Sequence, residues 1–458
     1  MYTYMLLALI LALLLITLKI VKGDYFFPAA IILEVYALSV FFAILEMDKW
    51  DSSISFETFN IFCTGILTYF ITAIVTRMIL KRTSKYRFTI GKLHMSSSSN
   101  NIVVDDEKPI TISVGVCIAV VSFSLLVLIV YFRDVRISSL SVAMFDSFSE
   151  MIGNFHDNSV MGTLEVGVSA FSNYGNMILA AISYILLYIN VQDIVLKHKL
   201  GFLHRLLCWF PIIIFVFCSI LSGARNPILQ LICAFFILYY IMSSKFKQKS
   251  RKFRWKLALR IIVAVVLVLV VFSSLRGVVG RKSDYGFIDY IAKYVGGSIK
   301  LFDIFIGAKL TNMSGIWGKE TFVNVWRYIG SKTGNIEYTS LLMNKEWRSY
   351  KGFAMGNVYT AFREYYFDFK IVGVVVLTAI HAFIFTFAYQ KLMNSKNLIR
   401  SNKICFPLLL YAYVSQSLFY FSIDDRLYQA YLARNVVLTV LAMYIFIKII
   451  NKARQKRT

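Results

Sequence analysis

The chain has 458 residues, of which 58% are hydrophobic and 16% charged, with 49 Lys and Arg against 25 Asp and Glu. Soluble domains average about 45–50% apolar and about 25% charged residues. The composition therefore excludes an ordinary soluble protein, a disordered chain and a disulfide-rich secreted domain, and is typical of a chain that crosses a membrane many times.

In chain order, the predicted elements are long apolar helices. Seven runs without Asp, Glu, Lys or Arg each approach or exceed the about 20 residues that cross a bilayer: 1–18, 109–132, 166–192, 206–224, 226–244, 371–390 and 404–423. Four further apolar runs carry a charge or are shorter: 25–45, 58–80, 257–275 and 435–447. The runs are continuous rather than alternating, which excludes a β-barrel. We predict an all-α polytopic membrane protein with about 11 transmembrane helices.

The first run lacks a basic start and a small-residue cleavage pattern, so we expect it to remain as the first helix rather than to be a signal peptide. The predicted organisation is helices 1–8 within 1–275, with a cytoplasmic loop at 81–108, then a large loop at 276–368. Helices 9–11 and a basic tail follow within 369–458.

The positions of Lys and Arg predict the orientation, because short cytoplasmic loops are enriched in both. One set of loops holds 29 of them, whereas the short loops of the opposite set hold six. We therefore expect the N-terminus outside, the C-terminus in the cytoplasm and residues 276–368 outside; we call the last the predicted external segment. The basic charge is explained by the cytoplasmic loops and implies no nucleic-acid partner.

Motifs for cofactors are absent from the sequence. There is no Walker loop, dinucleotide fingerprint, HExxH motif or Cys/His spacing typical of zinc. All six cysteines fall inside predicted spans, where small buried hydrophobic residues are the simplest interpretation. We expect no cofactor and no metal.

The predicted external segment is too rich in functional side chains for a passive linker. It holds 13 Lys and Arg, eight Asp and Glu and three of the six Trp. Apolar residues recur at helical spacing over 287–306, which predicts an amphipathic helix on the membrane surface or over a cavity. Its aromatic residues fit either binding of sugar rings or anchoring at the membrane interface, and the sequence leaves both interpretations open.

Arg225 lies in a very short hairpin, LSGARNP, between two predicted spans. The guanidinium must stay near the outer bilayer surface, and the small residues before it allow close backbone approach to a partner. Arginine suits bidentate phosphate recognition. A turn cation facing lipid headgroups is the alternative interpretation.

Three stretches resemble bacterial oligosaccharide repeat-unit polymerases of the Wzy type. They are SGARNPILQLICAFFILYY at 222–240, YVGGS at 294–298 followed by Phe302 and Asp303, and GNVYTAFREYYFDF at 356–369. The third resembles the family signature N-x-Y-T…Y-Y-x-D-F-G…G most closely. Lys370 stands where the family usually has glycine, and Gly373 follows as the family pattern expects.

This resemblance implies a glycosyltransferase of the bacterial cytoplasmic membrane. Such an enzyme transfers a growing glycan from a polyprenyl diphosphate to a new lipid-linked repeat unit, which builds O-antigen, capsule or exopolysaccharide. The implied partners are polyprenyl-diphosphate-linked oligosaccharides, membrane lipid, a flippase and chain-length regulator proteins. The reaction needs cations over the diphosphate and a general base for the acceptor hydroxyl.

Candidate site residues follow from these requirements. We predict that the diphosphate and glycan are bound by a set of side chains on the predicted external side: Arg225, Arg276, Arg281, Arg363, Asn357 and Tyr359. We rank the candidate bases Glu364, Asp368 and His156, in that order. Asp368 also begins a predicted helix, where a carboxylate can simply cap free N–H groups.

Two other functions remain open. A polysaccharide ligase would share this architecture and these arginines, whereas a lipid-linked oligosaccharide flippase would need charges along a path through the membrane. Glu34 alone is acidic deep within a predicted span. Asp424 and Asp425 are predicted to cap a loop beside Arg426 rather than to bind a metal, so we favour metal-independent catalysis.

Overall fold

In the computed structural model, the described residues are 1–93, 110–161, 166–198, 201–246, 286–395 and 403–455. Nine helices among them are long and apolar enough to span a membrane. They occupy, in chain order, α1 (Tyr2–Ile20), α2 (Pro28–Leu45), α4 (Phe56–Leu93, apolar to Arg82), α5 (Val114–Leu140), α7 (Ala170–Leu196), α8 (Phe202–Leu221), α9 (Asn226–Phe246), α14 (Phe362–Asn394) and α17 (Arg434–Gln455). The prediction of an all-α polytopic membrane protein is confirmed.

The remaining elements are short. They are α3 (Met47–Trp50), α6 (Phe148–Met161), α10 (Phe287–Val295), α11 (Gly297–Gly307), α12 (Val323–Thr333), α13 (Ile336–Thr339), α15 (Phe406–Val414), α16 (Gln416–Tyr420) and a π-helix at Arg426–Ala430. Two antiparallel strands, β1 (Arg348–Tyr350) and β2 (Phe353–Gly356), form one small hairpin. The predicted helix over 287–306 is thus two helices that meet at Gly296.

The long helices form two packed groups. In the first, α14 packs along α4, and α1 and α2 pack beside them. In the second, α7 contacts α5, α8, α9 and α17. Helix α15 contacts α14 of the first group and α7, α9 and α17 of the second. The buried apolar residues form one continuous core because these contacts join the two groups.

The predicted span 404–423 is not one continuous helix in the structure. Helix α15 ends at Val414 and α16 begins at Gln416. The Ser415 hydroxyl donates to the Ala412 carbonyl at 2.7 Å, and such bonds to the preceding turn bend helices. The Gln416 side-chain amide donates to the Asn226 carbonyl at 3.2 Å. The predicted span 257–275 lies outside the described residues.

Candidate functional site

Charged residues from three distant parts of the chain meet at the start of α14. Arg363 and Glu364 belong to its first turn, Lys345 and Glu346 precede β1, and Asp424 to Arg426 follow α16. The Ala361 N–H donates to the Phe421 carbonyl at 3.1 Å, which holds the start of α14 against the end of α16. We call Lys345, Glu364, Asp424 and Arg426 the charged relay.

The charged relay is a continuous series of ion pairs. Lys345 Nζ contacts the Glu364 carboxylate and lies 2.9 Å from Asp424 Oδ1. Arg426 Nη2 lies 2.9 Å from Asp424 Oδ2. The Glu364 side chain is fully buried, whereas that of Asp424 is 21% exposed. Asp424 is therefore the more accessible of the two carboxylates, and the pairing compensates the desolvation of Glu364.

The charges of the relay act on one another. Burial alone would lower the pKa of Lys345, but Asp424 and Glu364 outweigh it and raise that pKa above its ordinary value. Burial of Asp424 is likewise outweighed by Lys345 and Arg426, so the pKa of Asp424 is lowered. Lys345 is thus a cation and Asp424 a carboxylate near neutral pH.

The neighbouring Asp425 has the opposite electrostatic environment. Its side chain is fully buried, and Oδ1 accepts hydrogen bonds from the N–H groups of Leu427 and Tyr428. Burial, with the charge of Glu364 adding to it, raises the pKa of Asp425 to about 8. Two adjacent carboxyl groups with pKa values moved apart are a recurring arrangement for proton transfer. The predicted loop cap is present, because Asp425 caps the π-helix.

The buried Arg363 side chain lies between two carboxylates that are not part of the charged relay. Its guanidinium contacts the Glu320 carboxylate and lies 2.7 Å from Glu346 Oε2, and its side chain is 2% exposed. The Tyr359 ring packs 5.1 Å from the guanidinium carbon, and the Tyr359 hydroxyl donates to the Glu346 carbonyl at 3.1 Å. Binding of a diphosphate by Arg363 stays a prediction, and two carboxylates already neutralise this cation.

Asp368 organises the predicted external segment. Its carboxylate accepts hydrogen bonds from Asn312 Nδ2 at 3.0 Å, from the Thr321 N–H at 2.8 Å and from the Thr321 hydroxyl at 2.8 Å. The Glu320 N–H donates to it as well, at 3.1 Å. These contacts give Asp368 a structural role in holding the chain before α12. The role of Asp368 as the second-ranked candidate for the general base stays a prediction.

The Arg225 hairpin lies at the same end of the helix bundle. Arg225 Nη1 donates to the Tyr290 hydroxyl of α10 at 2.8 Å. Gly223 has φ +66°, and a Cβ there would lie 2.6 Å from His156 Cβ. The close backbone approach that the sequence predicted is therefore made against α6, where His156 Nδ1 lies 3.0 Å from the Ser222 carbonyl oxygen.

The hairpin connects to the charged relay through Asn226 and Tyr420. The Tyr420 hydroxyl donates to Asn226 Oδ1 at 3.3 Å, and its ring lies 5.1 Å from the guanidinium carbon of Arg426. The structure thus brings Arg225, His156 and Glu364 to one end of the bundle. Asn357 is half-buried just after β2. Arg276 and Arg281 lie outside the described residues.

Sequence reasoning missed Lys345, Glu320 and Glu346 as partners of α14. No motif surrounds them, and their only signal is that they are charged residues within a segment already rich in aromatic side chains. Comparison with protein-family models, curated proteins and solved structures finds no match to this chain.

Proposed function

We propose that this membrane protein is a glycosyltransferase that polymerises polyprenyl-diphosphate-linked oligosaccharide repeat units at the outer face of a bacterial cytoplasmic membrane. The observation that carries the proposal is the charged relay, which contains Glu364 of the stretch 356–369 that resembles the Wzy-type signature. It offers ionisable groups in a desolvated setting, where electrostatic effects on a reacting group are strong.

In this proposal, Asp424 accepts the proton of the acceptor hydroxyl while the hydroxyl oxygen bonds to the anomeric carbon of the donor glycan and the lipid diphosphate leaves, and Lys345 and Glu364 position Asp424. Asp424 is the end that an acceptor hydroxyl can approach, because its side chain is partly exposed while Glu364 is enclosed. Lys345 contacts both carboxylates, so the negative charge of Glu364 partly offsets that of Lys345 and makes Asp424 a better proton acceptor than it would be beside Lys345 alone. The two cations of the relay, Lys345 and Arg426, are already paired with its two carboxylates, which disfavours the binding of a diphosphate within it.

Cations for the diphosphate come instead from the hairpin side. Arg225 lies beside α10, with its guanidinium carbon 5.7 Å from the Tyr294 ring. Arg276 and Arg281 are predicted to join it at headgroup height. Aromatic rings next to a guanidinium provide a surface for the sugars that follow the diphosphate. A flippase and chain-length regulators are proposed partners of the same pathway.

The test is polymer synthesis from purified lipid-linked repeat units by the protein in liposomes. Glu364→Gln and Asp424→Asn should each lower turnover about 10²- to 10⁴-fold, the usual contribution of acid–base catalysis. Arg225→Ala should lower it about 10- to 100-fold, without rescue by Arg225→Lys. Glu337→Gln and Lys332→Ala are matched controls, because both residues are exposed on the same segment.

The products distinguish the candidate functions. A ladder of products that differ by one repeat unit supports a polymerase, and a single transfer to another acceptor indicates a ligase. Near-native turnover in both Glu364→Gln and Asp424→Asn would exclude the relay as the base.

A further inference from the structure

A second cluster of chemically active side chains lies at the opposite end of α8. Cys117 from the first turn of α5 and His204 and Cys208 from α8 place their ligand atoms within 4.8 Å of one another. Cys208 lies 13 residues before Leu221, the last residue of α8. At 1.5 Å per residue this separates it by about 20 Å from the Arg225 hairpin.

The spacing of the two sulfur atoms is compatible with a shared metal ion. Cys117 Sγ and Cys208 Sγ are 3.9 Å apart, within hydrogen-bond distance of two thiols, and form no disulfide. Two thiolates that each lie about 2.3 Å from one tetrahedral zinc ion are about 3.8 Å apart. His204 and Cys208 are four residues apart on one helix, so both side chains lie on the same face.

Burial and charge favour an ion at this point. The Cys117 and Cys208 side chains are 3% and 1% exposed, while His204 is half-buried. Two thiolates, a neutral imidazole and one divalent ion sum to zero charge, which suits a site enclosed between packed helices. Thiolate ligands select zinc over harder divalent ions such as magnesium or calcium.

A cavity is lined by the residues that follow His204 and Cys208 in the sequence, Arg205 and Trp209. It has a volume of about 400 Å³ and is lined by residues that include Asp193, Arg205 and Trp209 of α7 and α8. Asp193 is 7% exposed, and neither of its carboxylate oxygens has a hydrogen-bond partner among the described residues. Asp193 Oδ1 lies 3.7 Å from His198 Nδ1, and this carboxyl group adds acidic character to the lining of the cavity.

We propose that Cys117, His204 and Cys208 bind one zinc ion that joins the starts of α5 and α8. The ligands come from two packed helices, so the ion adds a cross-link between them. The three protein ligands leave the fourth tetrahedral position of the ion for a water molecule. The site is independent of the proposed glycosyltransferase reaction.

The test uses the full-length protein purified in detergent from cells grown with added zinc. Elemental analysis should find about one zinc per chain, and cobalt substitution should produce thiolate-to-metal absorbance. Cys117→Ser, Cys208→Ser and His204→Gln should each lose the bound ion. Cys218→Ser is the matched control, because Cys218 is an equally buried thiol on the same helix.

His204→Gln is the variant to rely on if the cysteine variants do not fold. The His204 side chain is only half-buried, so its replacement should disturb the packing least. Chelation should lower the thermal unfolding midpoint of the wild type and leave that of His204→Gln unchanged. Zinc-free wild-type protein, equal zinc in His204→Gln and wild type, or a Cys117–Cys208 disulfide in the protein as purified would each overturn the proposal.

Discussion

At the residue scale, the environment of a side chain decides whether a carboxyl group carries a charge. Asp424 and Asp425 are neighbours in the sequence, yet the pKa of the first is lowered and that of the second is raised to about 8. Asp424 faces Lys345 and Arg426, whereas Asp425 is enclosed beside Glu364. Composition and spacing cannot distinguish the two, because the difference depends on which charges the fold brings near.

Asp425 should make stability depend on pH. Its pKa is about 8 in the folded protein and about 4 in an unfolded chain. The folded state therefore holds the additional proton between these values, so this contribution is present at acidic pH and lost as the pH rises toward 8. Asp425→Asn should flatten the fall of the thermal unfolding midpoint between pH 5 and 8, measured in detergent.

Glu364, Asp424 and Lys345 face Asp425 and remain in the variant, so a residual slope common to both proteins is expected. An identical slope for wild type and Asp425→Asn would contradict the assignment. Exposed Glu337→Gln provides a control with an unchanged profile.

Lys370 is a strained residue inside α14. Its φ of 55° and ψ of −149° interrupt the helix with a backbone conformation that favours glycine. The Wzy-type family, which this stretch resembles, usually has glycine at this position. Such strain contributes about 1–3 kcal/mol. Lys370→Gly should therefore raise the free energy of unfolding by about 1 kcal/mol, after loss of the lysine contacts with Tyr366 and Leu310.

Lys370→Ala separates the two effects, because it removes the same contacts without relieving the backbone. The thermal unfolding midpoint of Lys370→Gly should be higher than that of the wild type, and that of Lys370→Ala should be no higher than that of the wild type. A Gly variant no more stable than the Ala variant would show that the backbone is not strained.

At the element scale, glycines set how closely helices approach. Gly296 separates α10 from α11, and a Cβ there would lie 2.6 Å from the backbone nitrogen of Ala43 in α2. The sequence predicted one helix over 287–306 because its apolar spacing continues through this position. The interruption lies where the predicted external segment packs on α2, a contact that spacing alone does not reveal.

Gly296→Ala should destabilise the protein by about 1–3 kcal/mol, since the added methyl group overpacks a backbone contact. Gly307→Ala is the matched control at the end of α11, where a Cβ would meet nothing within 4 Å. The comparison is of thermal unfolding midpoints in detergent. Equal midpoints for the two variants would contradict the close approach.

At the scale of the whole molecule, the predicted orientation has a direct test. Ser331 is exposed in α12 of the predicted external segment, and Lys452 is exposed near the end of α17. In intact cells, Ser331→Cys should react with a membrane-impermeant thiol reagent and Lys452→Cys should not. The unmodified protein reports any reaction of the native cysteines. The reverse pattern would place the charged relay on the cytoplasmic side.

The sequence by itself determined the class of fold and most of its helices. Continuous apolar runs have only one stable outcome in a bilayer, because each backbone polar group must be paired within its own segment. Nine of the apolar runs chosen on this local requirement match candidate membrane spans in the described part of the structure. It failed at 404–423, where Ser415 and Gln416 interrupt a run that hydropathy treats as uniform.

Only the tertiary structure decided which charges and ligands meet. Lys345, Glu364 and Asp424 come from positions up to 79 residues apart, and Cys117 lies 91 residues from Cys208. Hydropathy and motif spacing describe neighbours along the chain, whereas ion pairs and metal ligation act between atoms a few ångströms apart. Packing of the helices therefore creates both clusters, because the four-residue spacing of His204 and Cys208 places only those two side chains on one helix face.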